Sequence, residues 1–142
     1  MQTSDDGIKL IQKYEGLSLR AYKCPAGIWT IGYGHTNNVR PDDVITKEQA
    51  LKLLLIDLKL VECAIIRNVK KPLNQAQFDA LASFIFNVGA VAFHRSTLLK
   101  KLNLEDYIGA SNEFGKWVYA NKKKLKGLVD RRAAEKQLFL KQ

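Results

Sequence analysis

The spacing of apolar residues changes along the chain from a helical period to an alternating one and back. Ile8, Ile11 and Tyr14 recur every three residues, so they fall on one face of a short amphipathic helix. Gly16 supplies a residue that readily adopts the left-handed conformation at which helices end. The pattern therefore predicts a first helix that stops just before Gly16.

The segment Leu17–His35 has a different pattern. It is rich in aromatic and β-branched residues, and Pro25 and several glycines interrupt it. Short runs of this kind, bounded by proline and glycine, are typical of strands joined by turns. The segment predicts a small antiparallel sheet with a turn near Cys24–Gly27.

Helical periodicity returns after residue 45. Thr46 and Gln49 form a capping-box pair ahead of a long apolar stripe, which predicts one long helix to about residue 68. Asn74 and Gln77 form a second pair, which opens a helix towards Gly89. Three shorter helical pieces follow in the prediction: Ser96–Leu102, Leu104–Gly115 and Gly127–Leu140.

Together these elements predict an α+β fold in a single domain, residues 1–142. A small β-hairpin lobe covers about 15–45, and a long helix at about 46–68 connects it to a larger helical lobe. The helical lobe covers about 72–142 and includes the N-terminal helix. Two lobes joined by one helix leave a cleft between them, where a ligand site is expected.

Composition and charge narrow the class of protein. The 46% hydrophobic content is enough for a packed core, and two cysteines are too few for a disulfide framework; they allow only the pairing Cys24–Cys63. The net charge of +9 raises the encounter rate with polyanions, including nucleic acid, anionic membranes and bacterial wall polymers. Neither a secretory signal pattern nor an apolar run of roughly 18 residues is found, so we expect a cytoplasmic product without a membrane anchor.

Three residues at the first helix–strand junction form the sharpest candidate site. Glu15 ends the first helix, and Cys24 and Thr30 flank the hairpin turn, where an antiparallel ladder brings them close together. A carboxyl at a partly apolar helix end tends to stay protonated, which suits a general acid, and a thiol with a hydroxyl can hold one water. Each residue also has a plain structural interpretation: a charge near a helix end, a small buried side chain and an ordinary strand residue.

The spacing of these residues, Glu15-x8-Cys24-x5-Thr30, resembles the Glu-x8-(Asp/Cys)-x5-Thr signature of the phage-type, T4-like lysozymes of glycoside hydrolase family 24. The stretch EGLSLRAYKCPAGIWTIGYGHT is similar to the active-site hairpin of that family throughout. Phe86–Gly89 resembles its F-N/Q-x-G segment, and Trp117 falls where a tryptophan beside the cleft is expected. GLVDRRAAEKQLF is similar to the closing helix of the lambdoid branch, so the resemblance spans nearly the whole chain.

The resemblance implies a lysozyme fold and an endolysin that hydrolyses the β-1,4 bond between N-acetylmuramic acid and N-acetylglucosamine in bacterial peptidoglycan. It makes Glu15 the general acid, places Cys24 at the position of the second carboxylate and gives Thr30 part of the water site. Inverting hydrolases with two carboxylates leave roughly 6.5–9.5 Å between them for that water. The implied sugar-contacting positions are Thr36, Phe86, Ser96 and Ser111. Thr36 and Ser111 differ from the residues of the phage T4 enzyme, and no metal or organic cofactor is implied.

Cys24 departs most from a two-carboxylate site. Many members of the family have Asp at this position and a smaller group has Cys. A thiol has an ordinary pKa of about 8.5, and only its thiolate is a good base. The neighbouring Lys23 would lower that pKa and burial would raise it. The residues alone leave open whether Cys24 activates the water or only positions it.

Two further side chains are candidates for supporting roles. His35 is expected to orient the hairpin through hydrogen bonds rather than to titrate in the reaction. Arg131 or Arg132 is a candidate partner for an acid in the cleft, Glu15 among the possibilities, although a surface role is equally open.

Two other functions stay open at this point. A lytic transglycosylase cuts the same bond with one catalytic glutamate, and a non-catalytic, basic wall-binding or nucleic-acid-binding module would account for the charge alone. The late lysines Lys122, Lys123, Lys124 and Lys126 form either a solvated face or a binding surface. We expect a monomer that acts on peptidoglycan, with an anionic wall or outer-membrane surface as a second partner and no nucleic acid. We further expect it to leave the host cytoplasm through a separately encoded pore.

Overall fold

The computed structural model describes residues 1–142. The helices are α1 (Asp5–Glu15), α2 (Lys47–Asn68), α3 (Gln75–Val88), α4 (Ala90–His94), α5 (Thr97–Asn103), α6 (Tyr107–Glu113) and α7 (Lys126–Phe139), and a 3₁₀ turn covers Phe114–Lys116. The strands are β1 (Ser18–Lys23), β2 (Trp29–Gly32), β3 (Tyr119–Ala120) and β4 (Lys123–Lys124). None of the helices combines the length and the apolar character that crossing a membrane requires.

The predicted boundaries of the first half of the chain are confirmed. The backbone turns at Gly16, which ends α1 with a φ of 72°. Both capping boxes form: Thr46 and Gln49 exchange bonds of 2.9 and 3.1 Å, and Asn74 and Gln77 exchange bonds of 2.9 and 2.7 Å. The pairs work because each side chain satisfies a backbone N–H that has no partner within the first helical turn.

The helix predicted at Leu104–Gly115 is shorter than the pattern suggested. It begins at Tyr107, because the Asp106 carboxylate accepts a 2.9 Å bond from the backbone N–H of Gly109 and so caps the helix there. Glu105, just before the cap, has a φ of 60°, which no helix can contain. A local cap therefore overrides the apolar spacing.

A second hairpin, β3–β4, was not predicted at all. Its two turn residues, Asn121 and Lys122, both have a positive φ, 50° and 66°. Two-residue hairpin turns prefer this geometry because it matches the twist of the strands. The usual sequence signal for such a turn is Asn-Gly. Here the second residue is a lysine, so the sequence lacks that signal.

The core is built around α3, which packs against α1, α2 and α7. Residues 78–85 of α3 are all buried. The large side chains that surround α3 with almost no exposure are Ile11, Leu54, Leu58, Phe93, Phe114 and Phe139. The β1–β2 hairpin contacts α2 instead, through β2, so that the predicted two lobes are present and α2 connects them. Because α1 packs on α3 and ends where the hairpin begins, Glu15 lies at the junction of the two lobes.

Candidate active site

Glu15, the last residue of α1, is held from the helical lobe. Its Oε2 atom accepts a hydrogen bond of 2.6 Å from Nη1 of Arg131, a residue of α7. The Glu15 side chain is 18% exposed and that of Arg131 is 4% exposed. The arginine that the sequence proposed as a partner for an acid in the cleft is therefore Arg131, and the acid is Glu15.

The hairpin lobe approaches the same carboxyl through Gly34. Ile31 and His35 bond to each other through two backbone hydrogen bonds of 2.9 Å, which close a tight loop over residues 32–34. Gly34 has a φ of 78°, and a Cβ atom at this position would lie 3.1 Å from Oε1 of Glu15. Only glycine combines this backbone conformation with so close an approach.

His35 fixes that loop to α2. Its Nδ1 atom lies 2.8 and 3.1 Å from the two carboxylate oxygens of Asp57, and its Nε2 atom lies 2.9 Å from the carbonyl oxygen of Asn37. The His35 side chain is 10% exposed. His35 thus orients the loop through hydrogen bonds, as the sequence indicated. Asp57 was not singled out there, since it lies in the middle of the apolar stripe of α2.

Cys24 and Thr30 lie side by side at the end of the hairpin. The backbone N–H of Cys24 donates to the carbonyl oxygen of Ile28 at 2.9 Å, and the Thr30 hydroxyl donates to the same oxygen at 3.0 Å. The pKa of the Cys24 thiol is lowered, chiefly by a hydrogen bond from the Ile28 backbone, with smaller help from Thr30 and with burial acting against it. Lys23 has another contact, since its Nζ atom lies 5.5 Å from the centre of the Trp29 ring.

Both cysteines are free thiols. Cys24 is half-buried in the hairpin, and Cys63 is exposed on α2. The pairing Cys24–Cys63, which the sequence left open, is therefore absent, and the Cys24 sulfur is available to the site.

A cavity of about 460 Å³ lies against the loop that carries Gly34. Two of the four predicted sugar-contacting residues, Thr36 and Phe86, line it, together with Asp57 from α2 and Gly89 after α3. This cavity lies between residues of both lobes, as the lobe arrangement predicted. Glu15, Cys24 and Thr30 do not line it; Gly34, which approaches Glu15, links it to the candidate catalytic residues.

The other two predicted sugar contacts, Ser96 and Ser111, lie away from this cavity. Ser96 is 4% exposed and caps α5, with its hydroxyl donating to the Phe93 carbonyl at 2.7 Å. Ser111 is 1% exposed and its hydroxyl donates to the Ile108 carbonyl at 2.6 Å. Both hydroxyls are engaged in their own local structure, so the arrangement gives no support to a sugar contact, which stays a prediction for these two residues.

Ser83 and Glu135, behind Arg131, were missed by the sequence reasoning. Both are fully buried, and their side chains are joined by a 2.5 Å hydrogen bond from the serine hydroxyl to Oε2 of the glutamate. One signal was available: Arg131 and Glu135 are four positions apart and so share one face of the predicted closing helix.

Comparison with known proteins agrees with this geometry. Residues 12–135 match the phage lysozyme family. The chain is 52% identical to an endolysin of Acyrthosiphon pisum secondary endosymbiont phage 1, with 98% of each chain covered, and 46% identical to the endolysin of Salmonella phage P22, with 99% of each covered. The solved muramidase domain of SpmX from Asticaccaulis excentricus is similar over 99% of both chains, with a TM-score of 0.94 and 40% identity. The chain therefore belongs to the phage lysozyme family, and it is a glycoside hydrolase of the endolysin type that cuts the β-1,4 bond between N-acetylmuramic acid and N-acetylglucosamine in peptidoglycan.

Proposed function

We propose that Glu15 is the proton donor of this muramidase reaction. The observation that carries the proposal is the position of its carboxyl between the two lobes, with Oε2 bound to Arg131 and Oε1 facing the Gly34 loop of the cleft. A saccharide in the cleft would displace water from this carboxyl, and desolvation favours the protonated form. The proton then passes to the glycosidic oxygen as the bond to the anomeric carbon breaks.

We propose that Cys24 and Thr30 hold the attacking water. They lie together across the hairpin end, and the hydrogen bonds that lower the pKa of the thiol increase its thiolate fraction. In this step the water oxygen bonds to the anomeric carbon, and the proton that the water loses is accepted by the Cys24 thiolate. Thr30, which already donates to a backbone carbonyl, keeps its oxygen lone pairs free to accept a hydrogen bond from the water.

We propose that the glycan occupies the cavity of about 460 Å³ beside Gly34, with Thr36 and Phe86 as contacts. Thr36 offers a hydroxyl and Phe86 an apolar face, the two kinds of surface that a sugar ring presents.

For a second partner, the exposed Lys123 and Lys124 of β4 make the β3–β4 hairpin the surface that faces an anionic wall or outer membrane. The monomeric state belongs to the same proposal, and light scattering coupled to gel filtration measures it.

We propose that the chain reaches the wall from the host cytoplasm through a separately encoded pore. The first helix supports this route, because Ile11 of α1 is completely buried in the core and Thr3, which precedes α1, bonds to the Glu62 carboxylate at 2.8 Å. Expression in a host with and without a co-expressed pore protein tests the route. Lysis that needs no pore would replace this part of the proposal.

Mass spectrometry of purified peptidoglycan after incubation with the protein tests the chemistry. Hydrolysis yields muropeptides with a reducing end, and we expect these products. Anhydro-muramic products would show a transglycosylase, and no release at all would show a binding module. Glu15→Gln serves as the matched control, because it keeps the size of the side chain and removes the transferable proton.

A further inference from the structure

A layer of buried charge lies directly behind the ion pair of the active site. Arg131, Arg132 and Glu135 are 3%, 1% and 0% exposed, and Ser83 of α3 completes the group. Burying charges is unfavourable unless they are paired and hydrogen-bonded. Two arginines and a glutamate that lie together in the core therefore depend on one another for pairing.

The guanidinium of Arg131 is fixed on every side but one. Its Nε atom lies 3.2 Å from Oε2 of Glu135 and 3.4 Å from the Ser83 hydroxyl, and its Nη2 atom donates to the Ser83 carbonyl at 3.0 Å. The planar group cannot turn without breaking these bonds. Its third nitrogen, Nη1, donates a hydrogen bond of 2.6 Å to Oε2 of Glu15.

Glu135 is the acceptor that holds this layer together. Its Oε2 atom accepts bonds from the Ser83 hydroxyl at 2.5 Å and from Arg131 and Arg132 at 3.2 Å each. Its Oε1 atom lies 2.8 Å from Nε of Arg132, an ion-pair contact whose angle is too poor for a hydrogen bond. The Arg132 guanidinium also lies over the Phe84 ring, with its Cζ atom 5.1 Å from the centre of the ring.

An ionised Glu135 offsets one of the two arginine charges. Arg131 and Arg132 then face two carboxylates, Glu15 and Glu135. Without the charge of Glu135, Glu15 alone would face two arginines, and extra positive charge favours an ionised carboxyl.

We propose that Glu135 is a positioning residue of the reaction: it fixes Arg131 against Glu15, and its negative charge offsets part of the positive charge that the two arginines place beside Glu15. The proposal rests on Glu15 being the proton donor. Burial raises the pKa of Glu135, and the two arginines and the Ser83 hydroxyl oppose that rise. The same burial lowers the pKa of Arg132.

The other titratable groups on the elements around Glu15 do not bond to its carboxyl. On the hairpin side, His35 is engaged with Asp57. On α1 the neighbouring charge is Lys13, and on α7 it is Asp130, which pairs with Lys126 at 3.0 Å. Asp79 is the charged group of α3, and it bonds to Ser4 at the opposite end of α1. None of these groups touches Arg131, so its orientation depends on Glu135 and Ser83.

Titration of Glu15 in a chain labelled with ¹³C at the glutamate carboxyls tests the proposal, together with the pH profile of kcat/KM on peptidoglycan. Glu135→Gln keeps an acceptor for Arg131 and removes the charge. We expect the pKa of Glu15, and with it the alkaline limb of the profile, to fall by about one pH unit. Ser83→Ala, which weakens the bond that favours ionised Glu135, should shift both in the same direction by less.

The double variant Arg132→Met with Glu135→Gln is the matched control. It removes one charge of each sign, so the pKa of Glu15 and the alkaline limb should return towards the parent values. The carboxyl titration does not require activity, and it therefore separates this inference from the role of Glu15 itself. A Glu135→Gln chain that loses stability while the Glu15 titration stays in place would overturn the proposal and leave Glu135 a structural residue. A double variant shifted as far as the single one would overturn it as well.

Discussion

The two sides of the candidate site, a helical wall that carries Glu15 and a hairpin wall that carries Cys24 and Thr30, hold their side chains in different ways. On the helical wall, Glu15 is bonded to Arg131, which buried Ser83 and Glu135 fix in turn. On the hairpin wall, Cys24 and Thr30 share hydrogen bonds with the backbone around Ile28, and no charged side chain touches them. One wall is built from charges inside the core, and the other from the polar backbone of a surface turn.

The two walls also differ in how far apart along the chain their bonded residues lie. The Arg131 contacts join residues 48 and 116 positions apart, whereas Thr30 bonds to a carbonyl two positions away. A substitution on the helical wall therefore disturbs several elements at once, while one on the hairpin wall stays local. We accordingly expect Glu15 to tolerate less change than Cys24.

The largest expected effect is at Glu15. Glu15→Gln should keep the fold, since the side chains are nearly the same size, and should lose about 10²–10⁴-fold in lytic activity, the usual contribution of general acid catalysis. Turbidity loss of cell walls measures the rate, and circular dichroism checks the fold. Glu48→Gln, at an exposed glutamate in the first turn of α2, is the control. If the folded Glu15 variant clears walls at nearly the parent rate, Glu15 is not the proton donor.

The second effect concerns Cys24 on the hairpin wall. Cys24→Asp should preserve or raise activity because an ionised carboxylate accepts a proton better at neutral pH. Cys24→Ala should lose roughly tenfold or more, below the full contribution of an acid or base, and Cys24→Ser should fall between them. Cys63→Ser should be nearly silent, since the two thiols are unpaired.

Lytic rate and melting temperature measured together decide between catalytic and packing roles for Cys24. An active Cys24→Ala variant beside a destabilised, inactive Cys24→Asp variant would remove the thiol from the mechanism. Thr30 would then be the remaining side chain of the hairpin wall that can hold the water.

The third expected effect is on stability, and it concerns the buried carboxylate of Glu113. Glu113 accepts hydrogen bonds from Lys116 at 2.7 Å and Lys101 at 3.1 Å, and these, the bond from Lys116 above all, lower the pKa of its carboxyl. Glu113→Gln should lower the free energy of unfolding by about 1–2 kcal/mol at pH 7 and leave lysis intact.

The pH dependence of that difference has a definite sign. Because the pKa of Glu113 is lower in the folded chain, its contribution is complete above the unfolded value of about 4.3 and disappears as the pH falls through the folded one. Urea unfolding at pH 7 and in acid measures the gap between parent and variant. Glu105→Gln, in the exposed pair with Lys71, should change stability by less than about 1 kcal/mol and serves as the control. A gap that stays constant into acid would contradict the assignment.

The smallest effect is expected at the β3–β4 hairpin. If its lysines attract the enzyme to anionic surfaces, lysis should weaken as salt rises, because the screening length is about 8 Å at physiological ionic strength. Replacing Lys122, Lys123, Lys124 and Lys126 together by glutamine should flatten that response. An unchanged salt response would make these charges a solvated face.

Local signals predicted the hairpin wall well. The capping boxes, the Gly16 turn and the Pro25–Gly27 break fix the elements within a few residues, so that Cys24 and Thr30 meet where the spacing placed them. The helical wall could be predicted only in part. Ser83 and Glu135 are 52 positions apart, and nothing local in either segment shows that they share a hydrogen bond.

The serines show what a resemblance of positions leaves undetermined. Ser96 and Ser111 match the positions of sugar contacts in the family, yet both hydroxyls are taken up by carbonyls three positions before them. Serine side chains compete readily for nearby backbone groups, and a resemblance of positions does not reveal which bond a hydroxyl makes.

The ion pair between Glu15 and Arg131 also sets an order of events during synthesis, since 116 positions separate its two members. At the usual 5–20 residues per second, roughly 6–23 s pass between the synthesis of the acid and that of its partner. Throughout that interval α1 has no α7 to meet, and the carboxyl is free in water. The growing chain thus carries an unpaired Glu15 until α7 has been made, and the ion pair assembles only when α1 and α7 come together.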